Sequence, residues 1–383
     1  MKLKLGMVGG GPGSFIGSVH RKVAAMDGHY ELVCGAFSSN PEKSRQTGEE
    51  LFLDPKRVYD NYEEMIRKEK QLPKEERMDV LSIVTPNNLH YDPAEKALQN
   101  GFHVVLDKPL TFSLEEARDL KKVVDESGML LTVTYTYTGY PMVKEFRNII
   151  QSGKPGKIRK VYVEYPQGSL ARPVEKEGKK RAVWRTDPEQ SGAGGTIGDI
   201  GTHAFNMCEF VTGSKVTEIC AMLNSLVEGR QLDDDAMALL KFDNGSTGSM
   251  IATQIAAGEE NDLKIRVYGE HGGLIWSHSD PNSLVVKMIG EPIQIYRTAQ
   301  PYTTRSTVDN TRVPPGHPEG FFEAFANIYS NFALAVRDHS AGKFYSTSDY
   351  EFPDIDDGLR GMAFVETMIA SDRSDEKWMK LEI

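Results

Sequence analysis

Along the N-terminal third of the chain, short apolar runs alternate with stretches in which apolar residues recur every three or four positions. The runs Leu3–Val8, Tyr30–Phe37, Val80–Val84, His103–Leu106 and Met129–Thr134 read as strands. The stretches Ser14–Met26, Pro41–Leu51, Tyr62–Lys70, Pro93–Gln99 and Leu114–Glu126 read as helices, and Gly28, Gly101 and Gly128 stand where a glycine cap would end three of them. Regular alternation of this kind predicts βαβ units, hence a doubly wound parallel sheet with helices on both faces.

The pattern changes after about Tyr140. A helical stretch, Met142–Gln151, runs into the turn-rich SGKPGK. Longer strands with few helices between them follow: Ile158–Tyr165, Val216–Val227, Ala236–Phe242, Gly248–Gln254, Leu263–Tyr268 and Leu274–Trp276. FDNGST between two of these is a hairpin signal, because Asn-Gly accepts the positive φ angles of tight turns. HGGL and SDPNS read as turns, and Ala299–Pro315 as a turn-rich loop near an active site. Glu319–Val336 and Gly358–Ser371 read as helices that either close the second domain or pack back on the first. The expected organisation is an α/β Rossmann domain over residues 1–140, then an α+β domain with a large, mostly antiparallel open sheet over 141–383.

Composition narrows the partners. A formal net charge of -10 disfavours nucleic acid and anionic membrane surfaces. Cys34, Cys208 and Cys220 lie far apart, as in a protein of a reducing compartment. The start MKLKLGMVGGG lacks a secretory pattern, and no segment approaches the roughly 20 apolar residues of a membrane span. A cytoplasmic location is expected.

The first strand leads straight into GGGPGSFIG. Gly9, Gly11 and Gly13, with Ser14, Phe15 and Ile16 opening the next helix, form a candidate pyrophosphate loop, since glycines admit a phosphate to the backbone and the helix N-terminus favours its charge. The spacing is not a strict GxGxxG: Ser14 takes the third position, and Gly13 and Gly17 bracket it. At the end of the second strand, where an acidic residue would hold a ribose, the chain has Ser38 and Ser39, with Lys43 and Arg45 just beyond. Hydroxyls and cations suit the extra phosphate of NADP, yet the serines serve the bare ribose of NAD equally well, so both cofactors stay open.

Three further segments carry chemistry. Thr85-Pro86-Asn87-Asn88-Leu89-His90 follows a strand, Asp107-Lys108-Pro109 follows the next, and Gly198-Asp199-Ile200-Gly201-Thr202-His203 opens a helix. In this order, with the glycine loop, they resemble the glucose–fructose oxidoreductase / inositol dehydrogenase / MocA family. The resemblance implies a Rossmann domain, then a substrate domain whose open sheet carries oligomer contacts, so a homodimer or homotetramer is expected. It makes Lys108 the lysine of the family's EKP motif, here DKP, and Asp199 and His203 its DxxxH pair. Thr85, Pro86 and Asn87 then match the loop passing the ribose and nicotinamide, with Asp107 and His90 on the cofactor side. The implied activity is hydride transfer between NAD or NADP and a hydroxyl or keto carbon of a sugar, a sugar derivative or an inositol-like cyclitol. The alternatives are a glycoside-cleaving or eliminating enzyme that oxidises the ring transiently, and a nucleotide sensor.

The residues support proton chemistry without the family name. Asp199 and His203 are four apart, so on a helix they share a face, where a carboxylate can orient an imidazole. Lys108 at a strand's carboxyl end can stabilise a developing alkoxide. Asp199 has a plainer role open to it as a helix cap, and His203 one as a core histidine. Tyr137, Tyr140, Trp184, Arg185 and His317, together with Asp199 and His203, are the candidate substrate residues. Tyr135 lies in the same TYTYTGYP segment. Aromatic faces and polar tips suit a hydroxylated ring. No metal is expected, and Asp233-Asp234-Asp235 reads as a solvated turn.

Overall fold

The computed structural model describes residues 2–177, 186–343 and 349–383. The chain divides into two compact units, Met1–Thr134 with Phe325–Leu359, and Tyr135–Ala324 with Arg360–Ile383.

In the first unit β1 (Leu3–Gly9), β2 (Tyr30–Ala36), β3 (Val80–Val84), β4 (His103–Leu106) and β5 (Leu131–Val133) form a sheet in the order β2-β1-β3-β4-β5, every pair parallel. β3 and β4 are buried along their whole length. That is why they read as apolar runs interrupted only by Ser82 and His103: a parallel sheet covered on both faces has no wet side to alternate toward. The connecting helices are α1 (Phe15–Met26), α2 (Pro41–Glu50), α3 (Tyr62–Gln71), α4 (Tyr91–Gln99) and α5 (Leu114–Ser127). Their starts are chemically marked. Ser113 accepts the amide of Glu116, whose carboxylate accepts the amide of Phe112, so two orphan donors at the head of α5 are satisfied together. The chain leaves β1 toward β2 on one side and reaches β3 on the other. The strand order therefore reverses beside the carboxyl ends of β1 and β3, where open α/β sheets bind their ligands.

The second unit begins with α6 (Pro141–Gln151) and is built on nine strands in the order β13-β12-β11-β10-β6-β9-β8-β7-β14. These are β6 (Ile158–Pro166), β7 (Val216–Asn224), β8 (Asp235–Phe242), β9 (Thr247–Thr253), β10 (Lys264–Gly269), β11 (Gly272–Ser277), β12 (Ser283–Met288), β13 (Gln294–Arg297) and β14 (Met379–Lys380). β6 and β9 pair in parallel, and the other neighbours are antiparallel. The Asn244-Gly245 turn joins β8 to β9, with Gly245 at φ 83°. Inward residues of the sheet, such as Val161, Ile265 and Trp276, pack with Phe146 of α6 and with Phe205 and Met207 of the helix Thr202–Thr212.

Three expectations need correction. β7 ends at Asn224, not Val227, because the Asp234 carboxylate takes the amides of Leu226 and Val227 at 2.9 Å each and draws the backbone out of the ladder. The acidic run is accordingly no solvated turn: Asp234 is 1% exposed and pairs with Arg230 at 3.2 Å. β12 and β13 were not foreseen, and the loop over 299–315 contains a helical turn, Arg305–Asp309. Buried Glu145 pins that turn, accepting from the amide and hydroxyl of Thr304 and the hydroxyl of Thr307. Among the described residues no helix is long and apolar enough to cross a membrane, and no group of three or more His, Cys, Asp and Glu is placed to hold a metal.

Candidate active site

In the first unit the glycine loop makes a cradle that side chains would fill. Gly9, Gly10 and Gly13 have φ of 84°, 78° and 80°, a region in which any Cβ is strained. A Cβ on Gly11 would stand 2.8 Å from the Phe37 carbonyl oxygen, and one on Gly17 2.3 Å from the Gly10 Cα. Gly17 thus provides the close helix–strand approach that the third glycine of a strict GxGxxG provides, at an expanded spacing. Ser14, in that third position by count, instead caps α1 by accepting the Gly17 amide at 3.2 Å. Arg21 donates to the Gly10 carbonyl at 2.9 Å and ties the helix to the loop. No acidic residue sits in the first turn of α1, where Phe15 is exposed and Ile16 packs beside Met7. A bare backbone at a helix N-terminus fits a dinucleotide pyrophosphate.

Past β2, Ser38 accepts the Asn40 amide, Asn40 caps α2, and Ser39 is exposed. Arg45 pairs with Asp60 at 2.8 Å. Past β3, Thr85 and Pro86 enter a tight turn, Asn87–Leu89, with Asn87 buried. His90 is fully buried at the head of α4, its Nδ1 2.8 Å from the Pro109 carbonyl and its Nε2 3.0 Å from the Thr85 carbonyl. Past β4, Thr134 donates to Asp107 at 2.8 Å, and His20 Nε2 stands 3.7 Å from the same carboxylate oxygen. Burial opposes the Asp107 charge, but His20, Lys108 and His90 outweigh it and hold the carboxyl well below the usual carboxylate range. Lys108 follows, half-buried, with a cis bond to Pro109.

In the second unit a π-helical turn, Ile197–Gly201, precedes the helix Thr202–Thr212 and carries Asp199 one turn before His203. Such turns are frequent at functional sites. Asp199 lies inside the turn rather than at its cap. The capping role belongs to Asp233, whose carboxylate accepts the amides of Gly195 at 2.6 Å and Ile197 at 2.8 Å. Burial pushes the Asp233 carboxyl up to about 6 despite those bonds.

His203 is buried within an aromatic wall. The rings of Tyr137, Tyr135 and Tyr165 stand edge-on to it at 5.0, 5.7 and 6.5 Å between centroids. Behind the wall Tyr165 donates to Asn261 Oδ1 at 2.7 Å, and Asn261 Nδ2 donates to the Tyr137 hydroxyl at 2.9 Å. The Tyr165 proton is thereby committed, so in the remaining contact Tyr137 donates to Tyr165, and the three groups close a cycle. Gln254, 2% exposed at the end of β9, donates to Asp199 Oδ2 at 2.9 Å and accepts from Thr196 at 3.0 Å.

The structure brings Asp199, His203, Tyr135 and Tyr137 together. The Tyr140 hydroxyl points elsewhere, to His278 Nε2 at 2.9 Å. His317 is exposed in its loop, with Nδ1 3.2 Å from the Pro314 carbonyl. Trp184 and Arg185 lie outside the described residues. Sequence reasoning missed Gln254, Asn261, Tyr165 and Asp233. The available signal was a long polar side chain, Gln254, directly after the small and apolar residues of β9.

Comparison with known proteins bears on both units. Residues 3–135 match the oxidoreductase family with an NAD-binding Rossmann fold, and residues 143–275 match the GFO/IDH/MocA C-terminal domain. An uncharacterised oxidoreductase of Bacillus subtilis (strain 168), YfiI, is 32% identical over 99% of this chain and 97% of its own. An inositol dehydrogenase homologue from Azotobacter vinelandii, crystallised with NAD+, is 32% identical and superposes with a TM-score of 0.93 over 99% of this chain and 97% of that one. The same homologue has been crystallised with NADH and myo-inositol. An oxidoreductase from Sinorhizobium meliloti is 42% identical, with a TM-score of 0.88 over 99% of this chain and 100% of that one. With the cradle after β1 and full-length relatives of this kind, the chain belongs to the Gfo/Idh/MocA family of oxidoreductases and carries its NAD-binding Rossmann domain.

Proposed function

We infer that the chain is an NAD-dependent dehydrogenase acting on a hydroxyl-bearing carbon of an inositol-like cyclitol or a sugar. The observation that carries this reading is His203, enclosed by three tyrosine rings, with Asp199 one turn earlier held by Gln254. His203 takes the proton of the substrate hydroxyl, and Asp199 favours the imidazolium that results. Lys108 stabilises negative charge on the substrate oxygen as that proton leaves. The Tyr137 hydroxyl proton is committed within its own cycle, so this ring orients His203 and offers substrate no donor. A bound nicotinamide dinucleotide supplies the hydride acceptor. Pairing of Arg45 with Asp60 withdraws one cation from a 2′-phosphate, which favours NAD over NADP, as does the NAD+ of the Azotobacter homologue. The myo-inositol of that homologue favours a cyclitol or a sugar as substrate.

Two wider statements accompany the reading. Met222, Met237 and Ile251 stand opposite one another on β7, β8 and β9, exposed with Leu239, and a second copy of the chain covers them in a homodimer or homotetramer. Three free cysteines, Cys34 and Cys208 buried among them, support residence in a reducing compartment such as the cytoplasm.

The test is nicotinamide absorbance during incubation with NAD+ or NADP+ across inositols, aldoses, uronates and glycosides. Steady reduction with a cyclitol or sugar is expected. His203→Ala and Lys108→Ala are each expected to lower kcat by about a hundredfold or more. Consumption of a glycoside without net reduction would overturn the reading in favour of an internal redox cycle.

A further inference from the structure

β3 and β4 are parallel neighbours, with Ile83 opposite Leu106, and from their carboxyl ends spring the Thr85 and Lys108 loops. One side chain touches the backbone of both. His90 places Nδ1 2.8 Å from the Pro109 carbonyl and Nε2 3.0 Å from the Thr85 carbonyl, with its ring fully buried. Carbonyl oxygens only accept. A neutral imidazole has a single N–H, so one of its nitrogens would turn a lone pair toward an oxygen about 3 Å away. Both contacts are attractive only when both nitrogens carry protons.

We propose that His90 is the positioning residue for Lys108, clamping the Lys108 loop to the Thr85 loop as an imidazolium. The charged and titratable groups around it are Asp107, which favours the imidazolium, Lys108 beside it, and His20 of α1, whose Nε2 lies 3.7 Å from Asp107. Burial opposes the charge more strongly than Asp107 and the carbonyls of Pro109, Thr85 and Leu110 favour it, which sets the His90 pKa below the ordinary imidazole value. The doubly protonated ring is therefore favoured only as pH falls below the ordinary imidazole value. Below that pH the two loops are joined by two bonds. Above it one bond gives way to repulsion and the loops uncouple. The inference rests on the reading that these loops face the dinucleotide, whose affinity then weakens as pH rises.

The experiment is equilibrium binding of NAD+ to the full-length protein, followed by tryptophan fluorescence from about pH 5 to about pH 8. NAD+ is the probe because it lacks the 2′-phosphate, a group that titrates in the same range. The wild-type Kd is expected to weaken about three- to tenfold across this range, the size of one hydrogen bond. His90→Gln retains one suitable donor and is expected to bind weakly with a flat profile. A flat wild-type profile overturns the proposal, as does a His90→Gln profile of wild-type slope, which would assign the titration to another group. Nitrogen-15 spectra of the histidine rings in wild-type protein provide a readout independent of cofactor and of the variant's folding. His90 is expected to carry two ring protons at the acid end and to lose one on titration, and a single neutral tautomer throughout overturns the clamp. Absence of NAD+ and NADP+ binding at every pH, with the doubly protonated ring present, would instead reject the cofactor reading and leave the clamp standing.

Discussion

The two ends of the glycine loop fail in different ways when a methyl group is added. On Gly17 the new Cβ meets backbone, the Gly10 Cα at 2.3 Å, and nothing there yields cheaply. Gly17→Ala is expected to cost about 2 kcal/mol in thermal or denaturant unfolding and to abolish NAD+ binding. A Cβ on Gly13 meets no atom within 4 Å, so only its φ of 80° objects. Gly13→Ala is expected to cost about 1 kcal/mol in the same unfolding measurement, the strain of a left-handed backbone alone. Gln254 offers a second test. Gln254→Leu removes the donor to Asp199 and is expected to lower kcat on the order of tenfold, the value of a buried bond to a charged group, with the Kd for NAD+ unchanged. An equal loss in cofactor affinity would argue for general unfolding instead. At this scale the sequence was legible where spacing is covalent: Asp199 and His203 are joined by one helical turn, and Lys108 by its place after a strand. Gln254 and Asn261 were not legible, because their partners Asp199 and Tyr137 lie 55 and 124 residues away.

Among elements, the strands of the first unit were the easiest to read, since a sheet buried on both faces writes itself as nearly continuous apolar runs. β12 and β13 were hard to read: β13 has only four residues, at the edge of its sheet, and two alternating pairs carry little periodic signal. The π turn that presents Asp199 was also invisible, because it is held from outside by the Asp233 carboxylate. An Asn side chain has one accepting oxygen for the two amides that Asp233 serves. Asp233→Asn is therefore expected to loosen this turn, lowering kcat by several-fold with an intact Rossmann domain, as judged by unchanged NAD+ affinity.

For the whole molecule, acid stability follows from groups that must stay unprotonated. His103 accepts the Leu130 amide through Nδ1, and burial, reinforced by His339, pushes its pKa down to about 3. A histidine depressed in the folded state contributes stability that is present above its unfolded value of about 6.5 and is lost as pH falls toward 3. Melting temperature is expected to fall across that window, and less steeply in His103→Asn, whose amide oxygen accepts the same bond without titrating. An unchanged slope would remove His103 from the account. Assembly has its own test: Met237→Lys places a charge in the exposed apolar strip of β7–β9 and is expected to lower the mass measured by light scattering. The change in patterning after Tyr140 made a two-part chain legible. The assignment of Phe325–Leu359 to the first unit was not, because an amphipathic helix does not name the face it will cover.

The cycle of Tyr137, Tyr165 and Asn261 has a kinetic signature. Both hydroxyl hydrogens in it are given and received within the ring, which shields them from exchange. The Tyr137 hydroxyl hydrogen is thus expected to exchange slowly in heavy water. Turnover measured soon after dilution into deuterium oxide would carry the isotope effect of His203 alone, and a second, slower change in rate would betray a tyrosine proton in the reaction path.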